Sequence, residues 1–361
     1  MAYDVGLKIF ICMMLVMALF SVVQADEVVS FTDAMDRQIS LEKPAETLAY
    51  YMVGDPIKIV GAWDKVVARD GMSSDERFYP NAGSIPVISA ENGYMNLDYE
   101  KLMELKPDVV IIRKQEWDLE GIQKAIDSLE PEIPVVLLDF LDLNTMAENY
   151  EKLGKLTGNT EEAQDYLAFF DSVVTPIKSK TSTIPDSEKP NVFLQAHGMS
   201  SPDELYTYGG GFAAANALLG IAGANNVAAE ISGPYSEFDS EWLIGKDVDV
   251  IVKEVWEGFY PEWVGLKATN PANKIASAQK VREETLADEI YTGSEAVTND
   301  RVYLADHFLW NHPVAYVSYL AKWIHPELFG NLEPEKTYQE YLTKYLKTDV
   351  NLDDVGIAGY P

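Results

Sequence analysis

The side chains with the most chemical potential in this sequence cluster at the ends of apolar runs. Tyr50, Tyr51, Arg77, Tyr79, Arg113, Lys114 and Trp117 lie in its first half, and His197, Tyr208, Trp256, His307 and Trp310 in its second. Each lies at the end of a run that reads as a strand, or in a loop beside one, where α/β proteins hold ligands. Aromatic rings supply flat contact area, and arginine supplies paired hydrogen bonds to carboxylates or phenolates. The set therefore suits a large, flat or anionic chelate. Arg113 stands out as a cation placed directly after the run VVII, with a surface ion pair to Glu116 as the plain alternative. For the tyrosines and tryptophans the plain alternative is packing.

His197 and His307 have the side chain most often found on metals. None of the 4 histidines forms a close H-x-x-H or H-x-x-x-H pair, so no site for a bare Zn-like ion is expected. Axial ligation of a haem or corrinoid by either residue stays open. His312 and His325 each precede a proline at a helix boundary, which suits a structural role. A hydrolase using Asp306 and Glu254 would need an acid and a base paired across a substrate. Nothing in the spacing singles out that pair, and neither G-x-S-x-G nor H-E-x-x-H occurs, so no catalytic residue and no enzyme activity is expected.

These residues are positioned by two similar halves around one long helix, Asn159 to Thr181. Ala163, Tyr166, Leu167, Phe170, Val173, Val174 and Ile177 recur at the spacing of a buried helical stripe. Thr160 is the expected cap, Glu161 and Glu162 suit the positive end of the dipole, and Lys178 and Lys180 the other end. Gly158 is expected to end a preceding helix from Thr145 to Leu156. On either side the chain repeats itself without a gap: DYEKLMELKPDVVII from Asp98 aligns with DSEWLIGKDVDVIVK from Asp239. Each copy reads as a capped helix followed by a β-branched strand of a parallel sheet.

Along the first half, a hairpin around Asp33 to Asp36 leads to strands at Thr47 to Met52, Val66 to Ala68 and Val87 to Ser89. The loop Asp70 to Asn81 intervenes, and Asp108 to Ile112 and Pro134 to Phe140 complete the set. In the second half, strands at Asn191 to Ala196, Val248 to Lys253 and Arg301 to Ala305 end at His197, Glu254 and Asp306-His307. The glycine run Gly209 to Gly211 opens a helix from Phe212 to Leu219 and lacks the third glycine of a dinucleotide fingerprint. It allows either close packing or ligand contact. Helices at Pro313 to Ile324 and Pro334 to Leu346 close the chain.

At 361 residues, with 28 basic against 58 acidic side chains, the chain suits two domains and carries a formal charge of -30. Nucleic acid is excluded as a partner, because phosphate binding needs a basic surface. The dispersed acidity suits solubility in an extracytoplasmic setting. The one long apolar run, Ile9 to Ala25, follows Lys8 and ends in Val23-Gln24-Ala25, the pattern of a secretory signal peptide cleaved before Asp26. An uncleaved anchor is the alternative. Cys12 lies inside the run and lacks the small residues that precede a lipid-modified cysteine, so the mature chain would have neither disulfides nor thiolate metal sites. The expected division is 1–25 signal peptide, 26–143 N-terminal lobe, 144–188 connecting helices and 189–361 C-terminal lobe.

Six segments in order resemble the helical-backbone (class III) substrate-binding proteins of ABC importers for ferric siderophores, haem and cobalamin. FTDAMDRQISLEKPAETLAY at Phe31 to Tyr50 resembles their opening TDxxGRxVxxPxxPxRIV, and DYEKLMELKPDVVII resembles NxExLxxLKPDLVI. LGKLTGNTEEAQDYL resembles LGxLxGxxxxAxxL, and AGANNVAAE at Ala222 to Glu230 resembles AGGxNVA. SEWLIGKDVDVIV and NDRVYLAD resemble the closing strands of the second lobe. Asp36 departs from the usual glycine and Ala45-Glu46-Thr47 from the usual proline-x-arginine step.

The resemblance implies two Rossmann-like lobes joined by one long interlobe helix, with the ligand in the cleft between them. It implies a secreted, periplasmic or extracellular monomer with no cofactor of its own, delivering a chelate that carries a metal such as Fe, most simply an iron siderophore. Corrinoid (cobalamin), haem or a molybdate-type oxyanion held by Arg77 and Arg113 are the other ligands it allows. One glutamate per lobe docks on the permease in that family, and Glu100 and Glu241 occupy matching places. A stabilising charge at a helix N-terminus is their plain alternative.

Overall fold

The computed structural model describes residues 28–90, 95–201, 203–268 and 271–361. The apolar segment 9–25, with Cys12 and the expected cleavage point, lies outside them. Among the described residues no helix is long and apolar enough to cross a membrane.

A hairpin of β1 (Val29–Thr32) and β2 (Gln38–Leu41) leads into the first of two sheets. Its turn explains the family's glycine: Asp36 sits at φ 58°, in the left-handed region that glycine enters freely and aspartate tolerates. The first sheet is all parallel, in the order β4 (Val66–Ala68), β3 (Leu48–Tyr51), β5 (Val109–Arg113), β6 (Val135–Leu138). Val87 contributes only an isolated bridge to Arg69. The second sheet has a parallel centre of β7 (Asn191–Ala196), β11 (Val250–Val255) and β12 (Val302–Asp306). The short strands β8 (Tyr206–Thr207), β10 (Ser236–Glu237) and β13 (Gly359–Tyr360) are antiparallel, and β9 (Asn225–Asn226) runs parallel to β7. The strands Val109–Arg113 and Val250–Val255 are buried along their whole length, as their leading β-branched runs VVII and VIV suit, and the second also buries Lys253 and Glu254.

The internal repeat is real at the level of hydrogen bonds. Asp98 caps the helix Tyr99–Leu105 by accepting from Lys101 N at 2.9 Å, and Asp239 caps Ser240–Ile244 by accepting from Glu241 N at 2.7 Å. The second pair of aspartates is also equivalent. Asp108 accepts from Thr47 N at 2.9 Å and Asp249 from Asn191 N at 2.7 Å, each bracing the start of the neighbouring strand.

The connecting helix spans Thr160–Thr181, 22 residues and about 33 Å at 1.5 Å per residue. Thr160 is its first helical residue; the flanking residue is Asn159, and neither supplies a side-chain cap. Ala163, Tyr166, Phe170, Val174 and Ile177 are buried as the spacing predicts, Leu167 and Val173 only partly, and Phe169 joins the buried set. The preceding helix, Met146–Thr157, ends at the left-handed Gly158. Gly154 lets the two helices touch, since a Cβ there would lie 2.8 Å from that of Ala163. Tyr166 meets Tyr150 at 4.3 Å, and Phe169 stacks on Tyr345 at 4.6 Å. The C-terminal segments thus pack onto the connecting helix as well as onto the second sheet. Helices at Leu119–Leu129 and Lys274–Leu286 complete the covering layers.

Candidate functional site

All three central strands of the second sheet end at one place. The register pairs Val250 with Val192 and Glu254 with Ala305, so Glu254 leaves β11 between the residues that follow β7 and β12, His197 and His307. Glu254 is 2% exposed, while the side chains of His197 and His307 are 19% and 34% exposed. The buried carboxylate is therefore the floor of a site and the imidazoles its rim. Oε2 of Glu254 accepts from the Tyr208 hydroxyl and from Trp310 Nε1 at 3.3 Å. Oε1 faces both histidines, in hydrogen-bond contact with His307 Nδ1 and 3.7 Å from His197 Nε2. Burial opposes ionisation of Glu254, yet His307, with His197 and Tyr208, holds its carboxyl below the ordinary range. Burial likewise disfavours the His307 imidazolium, and Glu254 overcomes it, raising the imidazole above its ordinary value.

Aromatic rings wall this floor. Tyr208 and Trp310 lie 4.5 Å apart, His197 is 5.9 Å from Trp256, and Trp256 is 6.1 Å from His307. Tyr235 and Phe259 add two rings beside His197, at 5.8 and 5.7 Å. All five site residues expected from the second half of the sequence thus converge.

The first half contributes more selectively. Arg113, at the end of β5, is 5% exposed and reaches across to donate to Asn311 Oδ1 at 3.1 Å. It makes no ion pair among the described residues, and its Nε has no partner there; the surface pair with Glu116 is not formed. Burial lowers its pKa, opposed by Asp139 and Tyr51. The residue beside it, Met52, sits at φ 61° and donates its backbone N–H to Asp70 Oδ2 at 2.7 Å, a strained turn held by a buried carboxylate. Trp117, 46% exposed, meets Phe212 of the other half at 5.9 Å. Lys114 is partly exposed beside Arg113.

Tyr50 and Tyr51 are fully buried, one in each hydrophobic layer of the first sheet, so neither presents a surface to a ligand. Tyr79 is committed to Asp55, donating to Oδ1 at 2.7 Å. Arg77 is paired with Asp75 at 2.6 Å and donates to the Lys267 carbonyl at 3.0 Å, so it ties the two halves together away from Arg113's partners. His312 bridges buried Asp55, at 2.9 Å, and Tyr338, at 2.6 Å, and His325 lies 3.0 Å from the Gly223 carbonyl; both are structural, as their positions before proline suggested.

The family profile described as periplasmic binding protein matches residues 47–307. The chain belongs to the periplasmic binding protein family. This binding protein is 25% identical, over 230 residues covering 62% of its length and 68% of the relative's, to the uncharacterized ABC transporter substrate-binding lipoprotein YvrC of Bacillus subtilis. It is also 25% identical to the TroA-like periplasmic binding protein FepB from Veillonella parvula, with a TM-score of 0.74 over 92% of this chain and 99% of that one. MolA of Haemophilus influenzae, bound to molybdate, shares the fold at 16% identity and a TM-score of 0.66, over 90% and 99% of the two chains. The binding protein therefore has the two-lobed α/β fold of class III and works outside the cytoplasm.

Two alternatives left open by the sequence are decided by the geometry. The glycine run serves packing: a Cβ on Gly209, Gly210 or Gly211 would lie 2.2–2.4 Å from carbonyl oxygens of Ala229, Ser232 or Gly233. The pairing of Asp306 with Glu254 for hydrolysis fails on register. Val255 pairs with Asp306, so the two carboxylates leave opposite faces of the sheet. Asp306 instead accepts from Trp263 Nε1 at 2.9 Å and Phe308 N at 2.9 Å.

Glu254, weighed from the sequence only as a hydrolytic carboxylate, is missing from the ligand-binding set expected there, yet it is the floor of the site. Its signal was a single charge following VIVK at the same strand end that, in the neighbouring strands, precedes the histidines. Asn311, Tyr235 and Phe259 carried no local signal, because they join the site only through packing.

Proposed function

We propose that this binding protein delivers a metal chelate to the permease of its ABC importer, with an iron siderophore as the leading ligand. The observations that support the reading are the buried Arg113, which has no ion-pair partner among the described residues and reaches Asn311 of the second half, and the aromatic wall around His197 and His307. A cation without a carboxylate partner, 5% exposed, attracts an anionic ligand group, and the rings stack on flat catecholate or hydroxamate surfaces.

The corrinoid or haem reading is favoured by one feature, the partly exposed imidazoles, either of which can serve as an axial ligand. The oxyanion reading is weaker. Arg77 is neutralised by Asp75 and does not converge with Arg113, and the ionised Glu254 would repel molybdate. Glu100 and Glu241, both exposed in the first turns of equivalent helices, are the proposed permease contacts. The protein is proposed to act as a monomer, without a cofactor of its own.

Trp117, Trp256 and Trp310 make the site its own reporter. Titration of the secreted chain with ferric siderophores, haemin, cobalamin and molybdate should give saturable tryptophan quenching by a ferric chelate, shifted to higher concentration in Arg113→Ala. Saturable quenching by molybdate alone would overturn the chelate reading.

A further inference from the structure

We infer that the second lobe carries a further small-molecule site, a cavity built around Lys253 on the sheet face opposite Glu254, which takes a zwitterion with an apolar body, of the amino-acid or dipeptide class. The inference goes beyond chelate delivery and does not depend on it.

Strand alternation creates the site. Successive residues of β11 leave opposite faces, so the strand that turns Glu254 toward the histidines turns Lys253 away from them. In register, Lys253 lies between Gln195 of β7 and Leu304 of β12. Two apolar clusters cover that face, one around Phe193 and Ile251 and the other around Val255 and Leu304. A cavity of about 710 Å³ opens between them, lined by Leu205 and Ile290 of the first and by Val281 and Tyr260 of the second. That volume falls within the roughly 300–1,000 Å³ of small-molecule pockets. Phe259, 5.7 Å from His197, is the one wall it shares with the ring of aromatics around the histidines.

The floor of the cavity is a donor set. Lys253 is 7% exposed, yet among the described residues its ammonium makes neither a hydrogen bond nor an ion pair; it lies 5.3 Å from the centroid of the Tyr260 ring. Burial pushes this ammonium below its ordinary value, and Asp288, Glu284 and Asp203 draw it back up without touching it. Gln195 beside it, 3% exposed, accepts from the Tyr291 hydroxyl through Oε1, which leaves Nε2 to donate. Neighbouring amide and ammonium donors fit one carboxylate, and the ammonium gains the partner that a buried charge needs. The rim has the opposite sign. Asp203, Glu262 and Glu284 are exposed and Asp288 half-buried, and Lys280 pairs only with Glu262 and, at 3.9 Å, with Glu284. A plain anion would be repelled at this rim and a plain cation at the floor. A ligand with a carboxylate at one end and an ammonium at the other complements both.

The test is calorimetric titration of the secreted chain with L-phenylalanine and with L-alanyl-L-phenylalanine. At least one should bind at a single equivalent, with affinity reduced at least about tenfold in Lys253→Met, as expected for losing a hydrogen bond to a charged group. That substitution replaces a buried unpaired cation by an apolar chain of similar length. The variant should therefore resist urea as well as wild type does, and its ferric siderophore quenching should be unchanged. Masking either charge of the bound probe, as the N-acetyl derivative or the C-terminal amide, should weaken binding by a similar factor. The inference is overturned if neither probe binds saturably, or if Lys253→Met binds as tightly as wild type. It is also overturned if the N-acetyl derivative or the amide binds as tightly as the parent, since a site for one charge alone would then suffice.

Discussion

Arg113 and Asn311 join the two halves of the chain, with guanidinium Nη1 donating to Oδ1 at 3.1 Å. One residue ends a strand of the first sheet and the other leads into the helix Pro313–Ile324 of the second lobe. Asn311 is exposed and neutral, so it supplies an acceptor without cancelling the charge. An incoming carboxylate or phenolate can take that place and gain a charge-assisted bond.

Replacing each partner should therefore have opposite effects. Arg113→Ala should weaken ferric siderophore binding by about 1.5–3 kcal/mol, the usual worth of a hydrogen bond to a charged group. Asn311→Ala should leave binding unchanged or tighten it. Equal losses in both variants, measured by tryptophan quenching, would show that the contact itself, rather than the cation, matters.

Charge reversal at the docking surface should separate binding from transport. Glu100→Arg combined with Glu241→Arg should abolish importer-dependent uptake while ligand affinity stays at the wild-type value. Both residues are exposed and lie in first turns, where losing the carboxylate costs only about 0.3–1 kcal/mol. Unchanged uptake would remove these residues from the permease interface.

The two lobes are also joined through a buried polar chain, Tyr79–Asp55–His312–Tyr338, with successive contacts of 2.7, 2.9 and 2.6 Å. Truncating His312 to alanine leaves Asp55 buried beside one donor and should cost about 3 kcal/mol in urea unfolding. Because the residues touch, adding Asp55→Asn should cost less than the sum of the single changes. Strict additivity would argue against a shared network.

Asp108 gives a pH dependence with a definite sign. Burial alone would raise its pKa, but bonds from the backbone N–H groups of Glu46 and Thr47 dominate and hold it below the ordinary carboxylate value. Its contribution to stability is present above that ordinary value and disappears as pH falls through the lowered one. Asp108→Ala should cost about 1 kcal/mol at neutral pH, since the group is exposed and screened. The difference from wild type in thermal or urea unfolding should vanish in acid; a difference that grows there contradicts the assignment.

Much of this molecule was legible because it depends on neighbours in sequence. The connecting helix, the hairpin, the capping aspartates and the strand Asn191–Ala196 follow from periodicity and local hydrogen bonding. The helix Leu119–Leu129 also had its signal in Ile122, Ala125, Ile126 and Leu129, at helical spacing. The helix Lys274–Leu286 had little, for it buries only Ala278, Val281 and Thr285.

The candidate site divides along the same line. Sequence placed His197 and His307 at strand ends, because the end of a β-branched run is a local fact. It determined the repeat, the acidity and the order of the elements. Only tertiary structure decided that Glu254 belongs with those histidines, that Arg77 is neutralised, that Tyr50 and Tyr51 are fully buried, and that Arg113 faces Asn311. These depend on which strands become neighbours and on which sheet face each side chain takes. A shift of one residue in register would have sent Glu254 to the other face, and parallel pairing between β7, β11 and β12 is set by contacts more than fifty residues apart.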